Sequence, residues 1–154
     1  FVRHAQTEPG IGDPPGFRLD DCSTQRNLSQ QGRADAQRIG KAFRSRGIPV
    51  ASVRSSRWCR CLDTARLAFG MAEPDPLLDS MFREEEAAGK KKLLALQAAL
   101  RQPPANGNLV MITHSQNILA LTGVSLGSGD MLVTRPAGSA SLRVVGVLPL
   151  AEAR

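Results

Sequence analysis

Both histidines of this 154-residue chain stand beside residues able to grip an anion. His4 follows Arg3, and His114 follows Thr113. A third polar cluster runs from Ser55-Ser56 to Arg60, with Arg54 and Arg57 also at hand. These residue types suit the capture of a phosphoryl group. Arginine presents a planar fork that bonds phosphate oxygens bidentately, and it stays charged under all relevant conditions. Imidazole can form a covalent intermediate. Two arginines beside it depress its pKa and keep it neutral and nucleophilic near pH 7. Arginines around the transferring group also neutralise its equatorial charge, so no metal ion or cofactor is implied.

The elements that must position these clusters can be read from the pattern. Phe1-Val2 reads as the end of a buried strand whose beginning lies upstream. Residues 8 to 27 are rich in Pro, Gly and Asp and form a long irregular loop of the kind that usually carries function. Leu28-Ser29 starts a helix with Ser29 as its cap; Ala34, Ile39, Ala42 and Phe43 recur on one face before Gly47 stops it. A strand follows over Pro49 to Ser55, a helix from about Trp58 to Phe69 closed by Gly70, and a loop over Glu73 to Asp79. An Ala/Leu-rich helix covers about Ala87 to Leu100 and ends before Pro103-Pro104. Asn108 to Thr113 is a near-continuous apolar strand suited to the middle of a parallel sheet. Asn117 to Leu121 is helical, and Met131–Thr134 and Ser141–Val147 form a hairpin through Arg135-Pro136-Ala137-Gly138.

This alternation predicts a three-layer α/β/α sandwich with a central, mostly parallel sheet, in one domain covering residues 1 to 154. The three polar clusters then share one address, because ligands bind at the carboxyl ends of strands in such sheets. A lone histidine is more often structural than catalytic. Two at equivalent strand ends, each beside polar or cationic residues, shift that balance.

Composition narrows the partners. Apolar residues make up 42% and charged residues 22%, as in ordinary globular proteins, and no apolar run is long enough to span a membrane. Aromatics are only 4%, which argues against stacking platforms for single-stranded nucleic acid. The net charge of +6 fits an anionic partner or simply a solubilising surface. The only lysine cluster is Lys90-Lys91-Lys92, and no nucleic-acid-binding motif appears, which leaves a phosphorylated small molecule as the expected partner. The sequence says nothing of oligomeric state.

At this point the sequence resembles the histidine phosphatases of the phosphoglycerate mutase-like superfamily. Arg3-His4-Ala5-Gln6-Thr7 looks like the signature R-H-[GA]-[EQ]-[TS]. Ser55 to Ala65 looks like S-S-x-x-x-R-x-x-[QD]-T-A, and Met111 to Ser115 like hydrophobic-T-H-[GS]. Leu28 to Gly32 resembles the L-[ST]-x-x-G helix start, more loosely because Asp35-Ala36 stands where glutamine and alanine often follow. The loop Gly12 to Leu28 is similar to that of a bacterial subgroup of unassigned substrate. The resemblance implies His4 as the phospho-accepting nucleophile, Arg3 and Arg60 (rather than Arg57 or Arg54) as phosphate clamps, and His114 as the second pocket histidine. It implies metal-independent phosphomonoester hydrolysis in two steps. Rivals are a mutase, for which the chain lacks the longer insertions, a phosphohistidine-protein phosphatase in signalling, and a non-catalytic phosphoryl-binding module.

Such chemistry needs a carboxylic acid to protonate the leaving oxygen. Met81-Phe82-Arg83-Glu84-Glu85-Glu86 offers three candidates; the resemblance to the subgroup, with its acid two residues after the aromatic, implies Glu84 first, and Glu85, four residues before Gly89, is second. Alternatively the run is a solvated helix start, with Glu86 facing Lys90 at i, i+4. Trp58 reads as core packing and Arg18 as surface, whereas Arg26 is open between surface and substrate contact. Gln6 and Thr7 either bond phosphate or close the turn.

Cys22, Cys59 and Cys61 allow one disulfide with a spare thiol, or three thiols. Cys59-Arg60-Cys61 lacks zinc-ligand spacing. Cys22 lies in the loop over the proposed pocket and Cys59 starts the helix that presents Arg60, so a Cys22–Cys59 bridge would staple loop to site. Cys61 stands at a position that is usually small in the family the sequence resembles, which implies a buried free thiol. A bridge points to a periplasmic or secreted enzyme, with a leader missing here, and three thiols to a cytoplasmic one.

Overall fold

The computed structural model describes residues 1–102, 104–138 and 141–153. The chain runs β1 (Val2–Arg3), α1 (Gln30–Ser45), β2 (Val50–Ser55), α2 (Cys59–Phe69), β3 (Glu73–Pro74), α3 (Glu86–Ala99), β4 (Asn108–Thr113), α4 (Ser115–Thr122), β5 (Met131–Ala137) and β6 (Ser141–Leu148). The strands form one sheet in the order β3-β2-β4-β1-β5-β6. The first four pair in parallel, and β5 and β6 add an antiparallel edge.

The side-chain alternation of β4 sets the layers. Val110 and Ile112 face Ile39 and Ala42 of α1 and Cys61, Ala65 and Ala68 of α2. Met111 faces the other way, onto Leu96 and Leu100 at the end of α3 and Ile118 of α4. Successive residues of a strand point to opposite faces, so a strand apolar at every position must be covered on both sides. The chain has the expected α/β architecture.

Two glycines make the close approaches possible. A Cβ on Gly32 would stand 1.9 Å from the Gln6 carbonyl oxygen, so only glycine lets the first turn of α1 press on the loop after β1. A Cβ on Gly40 would stand 1.9 Å from the Ala68 carbonyl, which seats α1 against α2. Ser29 caps α1, its hydroxyl accepting from the Gly32 N–H at 3.0 Å, a contact worth about 1 kcal/mol.

Two expectations are corrected. Arg135, Pro136 and Ala137 are strand rather than turn, paired with Arg143, Leu142 and Ser141. Proline is tolerated there because β1 pairs with β5 only at Val2–Met131, leaving no neighbour at that end to miss its N–H. The Glu73–Asp79 loop holds β3 and a single 3-10 turn at Pro76–Leu78, started by Asp75, whose carboxylate accepts from the Leu77 N–H at 2.9 Å. Pro103, expected just beyond α3, lies outside the described residues, as do residues 139 and 140 of the hairpin connection.

The carboxyl ends of β2, β4 and β1 are neighbours, in that order. Arg3 is in register with Thr113 and Ser55 with Ile112. The ladder continues one residue further, the His4 N–H donating to the Thr113 carbonyl at 3.0 Å and the Ser56 N–H to the Ile112 carbonyl at 2.9 Å. His4, Ser56 and His114 therefore emerge side by side.

Candidate active site

His4 and His114 are both buried, with ring centroids 5.5 Å apart in an edge-to-face arrangement. His4 Nδ1 lies 2.9 Å from the Ala5 carbonyl oxygen. A carbonyl only accepts, so Nδ1 carries the proton in the tautomer we assign, and Nε2 keeps its lone pair. Burial pushes the His4 pKa down to about 3; the Ala5 bond opposes it, and the charges of Arg60, Arg3 and Arg26 add to the fall. The ring is thus neutral near pH 7. The following segment is pinned to α2, for Thr64 Oγ1 accepts from the Ala5 N–H at 3.1 Å and donates to the Arg60 carbonyl at 2.7 Å.

His114 is held from behind. Its Nε2 is 2.8 Å from Ser56 Oγ, which is in turn 3.4 Å from an Asp79 carboxylate oxygen. Burial, then His4 and the cations Arg60, Lys92 and Arg3, lower the His114 pKa well below its usual value. Cys61 is a buried free thiol 3.6 Å from the same nitrogen, and burial raises its pKa to about 12, which keeps it protonated and unreactive.

Arg3, His4, Arg26, Arg60 and His114 all line one crevice of about 240 Å³, with Gly10, Gly12 and Ser115 among its other walls. Arg57 and Arg54 are directed elsewhere, onto Asp79 and Asp75. Arg60 donates through both terminal nitrogens to the Asp13 carboxylate, at 2.7 and 3.2 Å. Arg3 donates to the Leu126 carbonyl at 2.6 Å, and Arg26 to the Gly10 carbonyl. The Nε atoms of all three arginines are buried and without a hydrogen-bond partner.

Sequence reasoning passed over Asp13. Its carboxylate also accepts from the Trp58 indole at 2.9 Å and the Arg26 N–H at 3.0 Å. Burial works to raise the Asp13 pKa, but the bonds from Arg60, the Arg26 backbone and Trp58 outweigh it and hold the group below its usual range. Trp58 packs against the core and also lies 5.4 Å from the His114 ring, so it walls the site as well. Ser56 could have been found from its place in the S-S segment. Asp13 and Asp79 carry no local signal, because their roles depend on partners 47 and 22 residues away.

The loop of residues 8 to 27 closes over one side. Cys22 and Cys59 are bonded, with α carbons 5.7 Å apart. The Gln25 side chain accepts from the Cys59 N–H at 2.9 Å. Arg18 is at the surface, paired with Asp21 at 2.8 Å. Gln6 and Thr7 close the turn: the Gln6 carbonyl and side chain both meet Ser29, and Thr7 bridges Leu28.

The acidic run behaves differently. Glu84 is ion-paired with Lys92 and is absent from the crevice lining, Glu85 precedes the first turn of α3 without a side-chain capping bond, and Glu86 pairs with Lys90 at 2.6 Å on the surface. No carboxylate lines the crevice among the described residues. The expectation that Glu84 faces the pocket is therefore not met in this conformation. Locally, Arg83 has a positive φ of 74° just before Glu84, and Lys92 on α3 pairs with the Glu84 carboxylate.

Among the described residues no three His, Cys, Asp or Glu side chains gather as a metal site would require, and no helix is long and apolar enough to cross a membrane. No curated protein sequence matches the chain. Among solved structures, the protein histidine phosphatase SixA complexed with tungstate superposes with a TM-score of 0.67 at 12% identity, over 99% of this chain and 97% of that one. A phosphoserine phosphatase from Entamoeba histolytica, in complex with 3-phosphoglyceric acid, gives 0.65 at 15% identity, over 95% and 93%. A candidate alpha-ribazole-5'-P phosphatase from Escherichia coli K-12 gives 0.67 at 18% identity, over 93% of each chain. These likenesses show a shared fold, that of the phosphoglycerate mutase-like phosphatases. The family model of the histidine phosphatase superfamily (branch 1) matches residues 1–92, well over half of the chain and all of the His4 and Arg60 segments, and the chain belongs to that superfamily.

Proposed function

We propose that the chain is a metal-independent phosphatase that hydrolyses phosphomonoesters through a phosphohistidine on His4. The observation that carries this reading is the neutral, buried His4, fixed through Nδ1 and set among arginines whose Nε–H groups lack acceptors. Nε2 attacks phosphorus as the bond to the leaving oxygen breaks. Arg3, Arg60 and His114 hold the non-bridging oxygens, and the interaction strengthens as charge builds on them. Nε2 of His114 is taken up by Ser56, so its Nδ1 is the ring nitrogen left to meet the phosphoryl group. The departing oxygen takes a proton, for which Glu84 remains the proposed source once its pair with Lys92 opens. Water then attacks phosphorus and gives a proton to the same carboxylate, the N–P bond breaks, and its electron pair returns to Nε2 with release of inorganic phosphate.

Turnover of p-nitrophenyl phosphate in excess EDTA, with an acid-labile, base-stable phosphoenzyme trapped in the first turnover, is the expected result. A strict need for a divalent cation, or binding of phosphate with no turnover of any phosphoester, overturns it. The second outcome would favour the phosphoryl-binding module.

A second reading, hydrolysis of phosphohistidine on proteins, is favoured by the lack of a carboxylate lining the crevice. A phosphoimidazole can be protonated by water on its remote nitrogen and leave as a neutral ring, so it needs no acid from the enzyme. Comparing kcat/KM for phosphohistidine peptides and sugar phosphates separates the two. The Cys22–Cys59 bond supports a further proposal, that the protein works in an oxidising compartment, periplasmic or extracellular. Thiol labelling of material isolated without reductant should find one reactive cysteine after denaturation, and three would refute it.

A further inference from the structure

We propose that Arg26 is a third phosphoryl-binding arginine, reaching from the disulfide-bonded loop into the crevice; the proposal rests on the phosphatase reading above. Of the five buried side-chain polar atoms without a hydrogen-bond partner among the described residues, three are the Nε atoms of Arg3, Arg26 and Arg60. All three arginines line the same crevice as His4 and His114. Leaving a charged donor buried and unpaired is costly, so three around one cavity mark a place where an anion supplies the missing acceptors.

The three share a second feature. Each has a terminal nitrogen anchored on a fixed acceptor: the Leu126 carbonyl for Arg3, the Asp13 carboxylate for Arg60 and the Gly10 carbonyl for Arg26. Anchoring one part of a planar guanidinium orients the whole fork, so little side-chain freedom is lost on binding. The Arg26 backbone is tied to the same assembly, its N–H donating to Asp13 at 3.0 Å and its carbonyl accepting from Arg60 at 3.4 Å. Arg26 and Arg60 are thus set relative to one another through Asp13. The loop does more than cover the site: it brings the third positive charge to it. Asp13 is the positioning residue of this pair, held ionised and unsuited to donating a proton.

The test compares Arg26→Gln and Arg26→Lys with the parent protein, using p-nitrophenyl phosphate kinetics, competitive inhibition by orthovanadate and thermal unfolding with and without vanadate. Arg26→Gln should weaken vanadate inhibition and lower kcat/KM by on the order of 10- to 100-fold, the scale of one charge-assisted hydrogen bond. The unfolding temperature without vanadate should hold, while the vanadate-induced rise shrinks. Arg26→Lys should restore part of the loss, having the charge without the fork. A variant that unfolds more easily yet binds vanadate within threefold of the parent shows a loop anchor only and overturns the inference. If Arg26→Gln does not fold, the decision passes to Arg26→Lys: parent-like vanadate inhibition again overturns it. A parent protein that neither turns over phosphoesters nor binds vanadate defeats the phosphatase reading itself, and the inference with it. An active parent with unaffected variants defeats the inference alone.

Discussion

The floor of the crevice and its rim are built by different physics. His4, Ser56 and His114 sit at the ends of adjacent parallel strands, and the sheet ladder continues into them. They and Arg60 are buried, and each side chain has a fixed partner. The rim over residues 82 to 86 is exposed and lies outside the sheet ladder. Phe82 is exposed, Arg83 adopts the left-handed region and leans on the Phe82 ring, and Glu84 is held by a lysine of the next helix. A phosphoryl group has the same shape in every substrate, so its cradle can be rigid. The leaving group varies, and in the proposed mechanism it meets this irregular segment rather than the strand ends.

The hardest test of the rigid floor is His4. His4→Ala should cost about a thousand-fold or more in kcat with p-nitrophenyl phosphate, while His4→Asn still binds vanadate. Substantial turnover by His4→Ala would end the phosphohistidine mechanism. The rim is tested next through the leaving group. Glu84→Gln should slow alkyl phosphates by on the order of a hundred- to ten-thousand-fold and leave p-nitrophenyl phosphate little changed. If Glu85→Gln shows that pattern instead, the acid is one residue further on. If neither does, the rim supplies no proton and the phosphohistidine substrate gains ground.

The loop joins floor to rim, and its staple has a measurable effect. The Cys22–Cys59 bond spans 37 residues, and removing it with Cys22→Ser/Cys59→Ser should lower stability by about 2–4 kcal/mol. Denaturant unfolding measures the loss. The double variant should also bind vanadate more weakly, because the loop carries Asp13 and Arg26. Unchanged vanadate affinity would show that the floor is complete without the staple.

The smallest effect is a pH dependence. His4 is neutral in the folded protein down to about pH 3, whereas an unfolded histidine protonates near pH 6.5. Between those values the unfolded state binds more protons, so stability falls as pH drops, by about 1.4 kcal/mol per unit for each such histidine well below pH 6.5. His114 acts in the same direction. His4→Gln should flatten the slope of unfolding free energy between pH 6 and pH 4. An unchanged slope would mean that His4 is not buried as a neutral ring.

What the sequence determined by itself is local and periodic. The apolar run of β4, the cap at Ser29 and the stop at Gly70 are written in neighbouring residues, and helix and strand periods translate them directly into elements. Parallel strands then gather their carboxyl ends, so His4, His114 and Arg60 could be placed on one edge before any coordinates. Tertiary structure decided the rest. The Asp13–Arg60 pair joins a loop without periodicity to a helix 47 residues on, and Glu84 finds Lys92 eight residues away across a turn with a positive φ. A charged side chain on an irregular segment takes whichever buried or nearby partner the packed chain presents, and that choice is made only when the elements have come together.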